Sequence, residues 1–290
     1  MAIYELKAEV PTGVVPALED LLAELEEQRL LVLEDKPSGR AWLTGYFESA
    51  AEAMVVWMNL AEATAADWAK VEPVVRELPD EDWKNSYKAH FKAWKFGRLN
   101  WVPVWERETF VLPAGEAVLW LDPGMAFGTG NHETTRLVVE RLVKIADQRG
   151  VSGRVIDAGC GSGILALSAV KLGYARVAAF DNDPLAVEVS VENAGLNGLA
   201  GSVDFFVGDL TTGLAGRQAE LVLANIQADV LMKFAPELTG AVASSGVLVL
   251  SGILARELAQ VRLVFESHAQ GWGADSRVMG EWSDLVLTRS

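Results

Sequence analysis

A chain of 290 residues, half of them hydrophobic, has enough length and apolar side chains to bury the cores of two domains, which excludes a disordered protein. Its formal net charge of -15 disfavours nucleic acid as the main partner, because an acidic surface repels phosphates, and favours basic proteins or amines. The single cysteine, Cys160, excludes an internal disulfide and a cysteine-rich metal site.

No segment is typical of export or of membrane insertion. Residues 1–7 lack the basic and then apolar order of a signal peptide. The nearest candidate for a membrane span, residues 241–255, is interrupted by serine and glycine. Together with the single cysteine, these features predict a cytoplasmic protein without a membrane partner, and we expect it to act as a monomer.

Residues 1–78 predict a small α+β domain. The pattern of apolar residues predicts a strand at 3–10, a helix at 15–25, strands at 30–33 and 42–47, a helix at 49–69 and a strand at 71–78. The order β-α-β-β-α-β is typical of a ferredoxin-like unit. Since no catalytic cluster occurs in it, we interpret it as a substrate-recognition domain, with simple packing on a catalytic domain as the alternative.

An abrupt change of composition at residues 78–82 marks a boundary. Residues 79–115 are rich in tryptophan and lysine, a mixture that can stack on bases and bind phosphates. The acidic overall charge opposes that function, and amphipathic aromatic side chains also anchor a connector onto a neighbouring domain. We therefore interpret 79–115 as a linker and connector and expect no direct contact with nucleic acid.

Strands alternate with helices over residues 116–290, which predicts a catalytic domain built on a doubly wound, mostly parallel, seven-stranded Rossmann-like sheet. The strands of this sheet are expected near 154–157, 177–180, 203–207, 220–224, 247–250, 272–278 and 282–287. The carboxyl ends of parallel strands meet at one edge of a sheet, and there the sequence places Gly159, Asp181, Asp209 and Asn225. Their convergence predicts a single site.

The segment 154–165 carries the densest motif of this domain. A β-branched strand ends in Asp157, then Gly159, Gly161 and Gly163 alternate with other residues, and an apolar helical pattern begins. Glycine lets the backbone come close to a ligand, and the free N–H groups of the helix start attract its negative end. The spacing fits the loop that holds the methionine end of S-adenosylmethionine (SAM), but part of it also fits a dinucleotide fingerprint.

The residues that follow decide between these two cofactors. Asp181 ends the next strand, where a carboxylate can accept both hydroxyls of a ribose. A strand pair closes the sheet, and no second glycine fingerprint supplies the other half of a dinucleotide site. The residues therefore favour a SAM-dependent methyltransferase, with an NAD-dependent dehydrogenase as the alternative.

A second glycine-rich loop, residues 122–135, runs into a predicted helix. Such a loop can fold over a ligand held at the first one, which makes Phe127 and Gly128 candidate cofactor contacts. His132 could be a base, a ligand or a helix cap, and an isolated histidine is more often a hydrogen-bonded structural residue. The other two histidines have no metal-ligand spacing to it, so we predict no metal.

Five segments together resemble one family. They are Asp122–Thr135 with its Phe-Gly-Thr-Gly-x-His-x-Thr-Thr sequence, Asp157–Leu165, Asn225–Ile226, Ser251–Leu254 and Glu281–Trp282. The resemblance is to the PrmA family, the methyltransferases of ribosomal protein L11, and covers the chain from about residue 83 to the C-terminus. The glycine triplet is shared by very many SAM enzymes, whereas the loop at 122–135 is far more specific.

The resemblance implies a SAM-dependent enzyme that methylates lysine side chains and the N-terminal amine of ribosomal protein L11, with a ferredoxin-like domain that docks this substrate. Carried over position by position, it implies SAM contacts at Thr135, Gly159, Asp181 and Asn225. The general pattern of the superfamily puts Asp209 beside the adenine, and the glycine loop adds Gly161.

Asn225 is also the candidate catalytic residue, because its side chain and the backbone carbonyls after it could orient an amine. The sequence Asn225-Ile-Gln-Ala228 lacks the Asn-Pro-Pro-Tyr form of enzymes that methylate glutamine or adenine, which argues against those substrates. No carboxylate in the motifs is an evident base, so solvent is the expected proton acceptor. Two alternatives stay open, namely action on another protein or a small molecule, and a non-catalytic adaptor that retains the fold.

Overall fold

The computed structural model describes residues 3–24, 29–35, 39–63, 71–78, 93–122 and 132–289. Two compact units divide the chain, Met1–Phe91 and Lys92–Ser290. Phe127 and Gly128 lie outside the described residues, as do residues 79–92 of the predicted linker. The predicted domain bounds of 1–78, 79–115 and 116–290 stay predictions.

The first unit is an antiparallel sheet with two helices. Its elements are β1 (Ile3–Val10), α1 (Val15–Glu24), β2 (Leu30–Asp35), β3 (Arg40–Phe47), α2 (Ala50–Glu62) and β4 (Val74–Leu78). The strand order is β2-β3-β1-β4, and every neighbouring pair is antiparallel. The strands and helices follow one another as the sequence predicts, while the ferredoxin-like assignment stays a prediction.

Alternation of side chains decides which face of this sheet is buried. On β1, Leu6, Ala8 and Val10 are buried in a core shared with residues of both helices, while Lys7 and Glu9 point away from it and are exposed. Helix α2 begins after Ser49, whose side chain accepts the Glu52 N–H. Among the described residues of this unit, both helices pack on this one face of the sheet, and none lies on the opposite face.

The second unit begins with a small three-stranded sheet, β5 (Trp94–Phe96), β6 (Leu99–Pro103) and β7 (Ala117–Leu121). Strand β6 pairs antiparallel with β5 and parallel with β7. Trp101 on β6 is fully buried, and its Nε1–H donates to Ser168 Oγ at 2.9 Å. The aromatic residues at 94–101 are thus part of the same hydrophobic core as the large sheet described next.

The large sheet has seven strands in the order β10-β9-β8-β11-β12-β14-β13. These strands are β8 (Arg154–Ala158), β9 (Arg176–Asp181), β10 (Val203–Val207), β11 (Ala219–Asn225), β12 (Val242–Leu254), β13 (Gly273–Met279) and β14 (Trp282–Thr288). The first five in spatial order are parallel, and β14 is antiparallel to both of its neighbours. This confirms the predicted doubly wound, mostly parallel, seven-stranded sheet.

Helices cover both faces of this sheet. They are α3 (Glu133–Arg149), α4 (Ile164–Leu172), α5 (Pro184–Leu196), α6 (Ala228–Lys233), α7 (Ala235–Gly240) and α8 (Leu258–His268). Adjacent residues of β8 point to opposite faces, so that Val155 belongs to one core and Ile156 to the other. In the part of the chain that the structure describes, no helix has the length and apolar character needed to cross a membrane.

Three elements differ from what the sequence pattern predicts. Apolar spacing predicts one helix at 228–238, but α6 and α7 form there, because Pro236 in the first turn of α7 has no N–H to continue the preceding helix. Strand β12 begins at Val242 and ends at Leu254, four residues beyond the predicted end. The helix that the sequence pattern predicts at 254–267 accordingly begins at Leu258, as α8.

A buried ionic cluster joins α3 to the strand pair at the sheet edge. Asp284 is fully buried and accepts from Arg141 Nε at 2.8 Å and from Arg141 Nη2 at 2.9 Å. Arg277 donates to the same carboxylate from Nε and Nη2, at 3.0 and 2.9 Å, and also to Glu140 at 2.8 Å. The cluster fixes the position of α3 against β13 and β14.

Candidate active site

The glycine loop between β8 and α4 adopts a backbone that only glycine tolerates readily. Gly159, Gly161 and Gly163 have φ values of 72°, 53° and 75°. A Cβ at Gly159 would lie 2.5 Å from Ile226 Cγ2, and one at Gly163 would lie 2.9 Å from Ser190 Oγ. A Cβ at Gly161 would meet nothing within 4 Å, so the loop presents its middle glycine to open space.

Side chains of α5 donate hydrogen bonds to the backbone carbonyls of this loop. Ser190 donates to the Gly161 carbonyl at 2.8 Å, and Asn193 Nδ2 donates to the Ser162 carbonyl at 3.0 Å. The Cys160 thiol is buried 3.6 Å from Ser190 Oγ, and burial raises its pKa, which keeps it neutral. The loop is therefore preorganised by protein contacts.

Asp157 lies beneath the loop and is fully buried. Its Oδ2 accepts the Ala166 N–H of α4 at 3.0 Å, while its Oδ1 has no hydrogen-bond partner among the described residues. Burial raises the pKa of Asp157 to about 7, and the charge of Asp181 adds to the rise, against the Ala166 hydrogen bond. One carboxylate oxygen thus has no donor among the described residues.

Asp181 is bonded to the glycine loop. Its Oδ2 accepts the Gly161 N–H at 2.9 Å, and its Oδ1 accepts the Asp183 N–H at 3.1 Å. Asp183 in turn caps α5 by accepting the Leu185 N–H. These bonds fix the orientation of the Asp181 carboxylate at the end of β9.

Asp209 stabilises a turn at the end of β10. Its Oδ1 accepts from the Thr211 N–H at 2.9 Å, the Thr212 N–H at 2.7 Å and the Thr212 hydroxyl at 2.8 Å. The Thr212 N–H and hydroxyl hold the pKa of Asp209 below its usual range. The Asp209 carboxylate is therefore ionised at neutral pH, and its Oδ1 already accepts hydrogen bonds within this turn.

Thr135 and Asn225 connect α3 to the carboxyl end of β11. Asn225 Nδ2 donates to Thr135 Oγ1 at 3.3 Å. His132 is the N-cap of α3, where its Nδ1 accepts the Thr134 N–H at 3.4 Å, and its ring packs edge-on against Trp282 at 4.9 Å. Among the roles considered for His132, the helix cap is the one that these contacts show.

Two adjoining cavities bring the predicted residues together. One, of about 440 Å³, is lined by Gly159 and Asp209 with largely apolar neighbours, namely Phe180, Leu210, Val230 and Phe234. The other, of about 470 Å³, is lined by Thr135, Gly159, Gly161 and Asn225. Gly159, Ile226 and Gln227 belong to both linings. Asp181 lines neither cavity but bonds Gly161, so the six described candidates surround one region, and their contacts with a cofactor stay predictions.

The predictions from sequence give Gly252 no role in this region, and they include Ile226 and Gln227 only through the backbone carbonyls that follow Asn225. Ile226 and Gln227 lie where the cavities adjoin, and Gly252 lines the second cavity. Gly252 has φ of 81° and follows Ser251, which pairs in register with Asn225 on the adjacent strand. Its sequence signal was a glycine at the carboxyl end of a predicted strand, the same signal that identifies Gly159.

The residues of this region fit SAM. The amino group of its methionine part needs an acceptor, and Asp157, whose Oδ1 has no hydrogen-bond partner among the described residues, precedes the glycine loop. The open face of Gly161 allows close backbone approach, Asp181 offers a carboxylate for ribose hydroxyls, and the apolar cavity suits a purine ring. Among the described residues, no three His, Cys, Asp or Glu side chains are grouped as a metal site requires.

Comparisons with known proteins agree with this geometry. The family model described as "Ribosomal protein L11 methyltransferase (PrmA)" matches residues 11–290. A protein of that name from Geobacter metallireducens is 38% identical over 301 aligned residues, which cover 97% of this chain and 96% of that protein. Another from Pelobacter propionicus is 45% identical over 221 residues, which cover 75% of this chain and 70% of that protein.

A solved structure also matches. The crystal structure of a ribosomal protein L11 methylase from Lactobacillus delbrueckii subsp. bulgaricus is 30% identical with a TM-score of 0.59, and the match covers 69% of this chain and all of that one. The match of the family model over nearly the whole chain and the identity to full-length relatives lead to one conclusion. The chain belongs to the ribosomal protein L11 methyltransferase family.

Proposed function

We propose that this protein transfers methyl groups from SAM to amines of ribosomal protein L11, with lysine side chains and the N-terminal amine as acceptors. The observation that carries the proposal is the bond between Asn225 and Thr135 at a cavity that also contains the glycine loop, in a member of this family. Because its substrate is a ribosomal protein, we propose that it acts in the cytoplasm, as a monomer and without direct contact with nucleic acid.

The chemical demand on the site is set by the acceptor. SAM, when bound, supplies an electrophilic methyl group on a sulfonium. A lysine amine has a pKa near ~10.4, so its deprotonation at neutral pH costs roughly 4 to 5 kcal/mol. The protein must align the amine and keep the site dry, because effective transfer needs an in-line approach of the lone pair.

Asn225 is the residue we assign to amine orientation. Its amide nitrogen is used by Thr135 Oγ1, which leaves the amide oxygen as the acceptor for an incoming N–H. The next residue, Ile226, lines both cavities, and we assign its backbone carbonyl as a second acceptor. Two acceptors at the end of β11 can direct the lone pair of a bound amine away from themselves and toward the methyl donor.

The proton of the ammonium has no evident acceptor in the second cavity. Among the described residues that line it, none is a carboxylate. His132 Nδ1 lies 2.9 Å from Thr134 Oγ1 and 3.4 Å from Thr134 N, so this ring nitrogen is already engaged at the start of α3. We infer that solvent takes the proton before the amine enters the site.

We assign recognition of L11 to the first unit, whose strand order supports a ferredoxin-like domain. The sheet face away from its core exposes large apolar side chains on three strands: Leu31 at 55%, Leu33 at 49%, Tyr46 at 43% and Val74 at 64%. Leu31 pairs with Thr44, Thr44 with Lys7, and Lys7 with Val74, so Leu31 and Val74 lie on the same face of the sheet, with the buried Thr44 and the exposed Lys7 between them. An exposed apolar group of this kind is typical of a protein interface.

The proposal is tested by incubating the purified protein with isotope-labelled SAM and L11 that has not been methylated before. We expect label in L11, and in the same preparation a thermal shift with SAM but not with NAD. Binding of SAM without transfer to L11 would favour another substrate or an adaptor. A shift with NAD alone would favour a dehydrogenase.

A further inference from the structure

Two glycines crowd Ile226, one in the loop after β8 against its side chain and one on β12 against its backbone. On one side is Gly159, where a Cβ would meet the Ile226 side chain. On the other side is Gly252, where a Cβ would lie 2.2 Å from the Ile226 carbonyl oxygen, 2.7 Å from its carbonyl carbon and 3.1 Å from its nitrogen. Gly252 thus approaches the main chain of Ile226 more closely than any other residue type could.

This approach sets the end of β11. Asn225 pairs with Ser251, and Gly252 is the next residue of β12. The strand end itself is anchored, because Ser251 Oγ donates to the Ser283 carbonyl at 3.2 Å and Ser283 Oγ donates to the Ile253 carbonyl at 3.1 Å. The two neighbours of Gly252 are therefore anchored to β14, so Gly252 cannot easily move away from Ile226.

We propose that Gly252 is a positioning residue for methyl transfer: by having no side chain, it lets the Ile226 carbonyl and the Asn225 amide occupy the places from which they orient the amine. The proposal rests on the proposed function. Gly252 acts through Ile226 and Asn225 and needs no contact of its own with the substrate.

The size of the effect follows from the distance. An ordinary contact between carbon and a carbonyl oxygen is about 3.3 Å, so a Cβ at residue 252 requires a shift of about 1 Å at Ile226. A misplacement of 1 Å in a reacting geometry can cost about 100-fold in rate. We therefore expect Gly252→Ala to lower kcat by about 100-fold.

Two other glycines separate this effect from general destabilisation. Gly201 has φ of 74° and nothing within 4 Å of a Cβ, so Gly201→Ala carries only the conformational cost. Gly246 is on the same strand as Gly252 and is crowded by the Ala243 carbonyl at 2.8 Å, but lies at the opposite end of β12. Gly246→Ala therefore carries only a packing cost, remote from the site.

The experiment compares the wild type, Gly252→Ala, Gly201→Ala and Gly246→Ala in melting temperature, SAM affinity by calorimetry, and kcat and KM for unmethylated L11. We expect all three variants to melt at lower temperatures, and only Gly252→Ala to lose about 100-fold in kcat, with KM for L11 within about threefold of the wild type. A kcat for Gly252→Ala within about threefold of both control variants overturns the proposal.

A second substitution covers the case in which Gly252→Ala does not fold. Asn tolerates a positive φ better than Ala does, but has the same Cβ. Gly252→Asn should regain stability and still show the loss in kcat, whereas recovery of kcat would contradict the role of the Ile226 contact. If the wild type itself transfers no methyl group to L11, the proposed function fails, and that result is visible before any variant is compared.

Discussion

The Gly161 N–H donates to Asp181 Oδ2 at 2.9 Å, so the tip of the glycine loop and the acid at the end of the next strand are bonded to each other. The same carboxylate accepts the Asp183 N–H at the start of α5. A ligand that binds through Asp181 therefore meets a carboxylate whose position is already fixed.

Replacing Asp181 by Asn should weaken SAM binding by about 10- to 100-fold, because a charged acceptor is lost and hydrogen bonds to charged groups contribute roughly 1.5 to 3 kcal/mol. Calorimetric titration with SAM measures the change. The matched control is Asp204→Asn, an exposed acid near the amino end of β10, whereas Asp181 is at the carboxyl end of β9. Equal affinities of the two variants would contradict a role of Asp181 in the cofactor site.

Asp157 gives a prediction for pH. Burial raises its pKa to about 7, above the ordinary value in the unfolded chain, so the folded state holds a proton on it between about pH 4 and pH 7 that the unfolded state has lost. The contribution of Asp157 to the free energy of unfolding therefore falls as pH rises through that window, and it is fully lost above pH 7.

Asp157→Asn is neutral at every pH, so without SAM it should melt higher than the wild type at pH 8.5, by an amount equivalent to about 2 to 4 kcal/mol, and nearly equal to it at pH 4. Thermal unfolding at several pH values measures this. Asp209→Asn should change stability in the opposite direction. The pKa of Asp209 is lowered in the folded state, so its carboxylate stabilises the fold at neutral and high pH, and the substitution should lower the melting temperature there. A pH-independent difference for Asp157→Asn would show that its carboxyl does not titrate in this window.

The structure explains which of these features can be predicted from sequence. The glycine loop, Asp181, Asp209 and Asn225 all follow predicted strands, and a parallel sheet brings such positions to one edge whatever the details of packing. The contact of Gly252 with Ile226 depends instead on the spacing of two adjacent strands, which no local pattern encodes. The hydrogen bonds from Thr212 to the Asp209 carboxylate are equally hard to predict from sequence, because they depend on the geometry of the turn.

Asn225→Ala should lower kcat for L11 methylation by about 100-fold while weakening SAM binding by less than about tenfold, because the amide orients the acceptor and is only one of several groups near the cofactor. Steady-state kinetics and SAM titration on the same preparation separate the two effects. Thr135→Val removes the acceptor of the Asn225 amide and should give an intermediate loss. Unchanged turnover in Asn225→Ala would refute the assigned role.

The buried ionic cluster predicts a large effect on stability. Asp284→Ala leaves the buried Arg141 guanidinium without its main partner and should reduce the free energy of unfolding by about 3 to 5 kcal/mol. Glu266→Ala removes the exposed pair with Arg262 on α8 and should cost at most about 0.5 kcal/mol. Urea unfolding of both variants provides the comparison, and similar losses would mean that the buried cluster contributes no more than a surface pair.

The exposed apolar residues on the sheet of the first unit, namely Leu31, Leu33, Tyr46 and Val74, predict a selective effect on substrate affinity. Leu31→Ser with Leu33→Ser should raise KM for L11 by about tenfold or more, with kcat and SAM affinity nearly unchanged, because these residues belong to the first unit and line neither cavity of the candidate site. Val278→Ser with Leu263→Ser is the matched control, since these residues are also exposed but belong to the second unit. The same KM for both double variants would remove the sheet face from the recognition of L11.

The most direct test of the whole account is intact-protein mass spectrometry of unmethylated L11 after incubation with SAM and this protein, with Asn225→Ala run in parallel. The account predicts that the mass of L11 rises in steps of one methyl group, that fragmentation places the methyl groups on lysine side chains and the N-terminal amine, and that the variant gives far less product in the same time. An unchanged mass of L11, in a preparation that binds SAM, would contradict it.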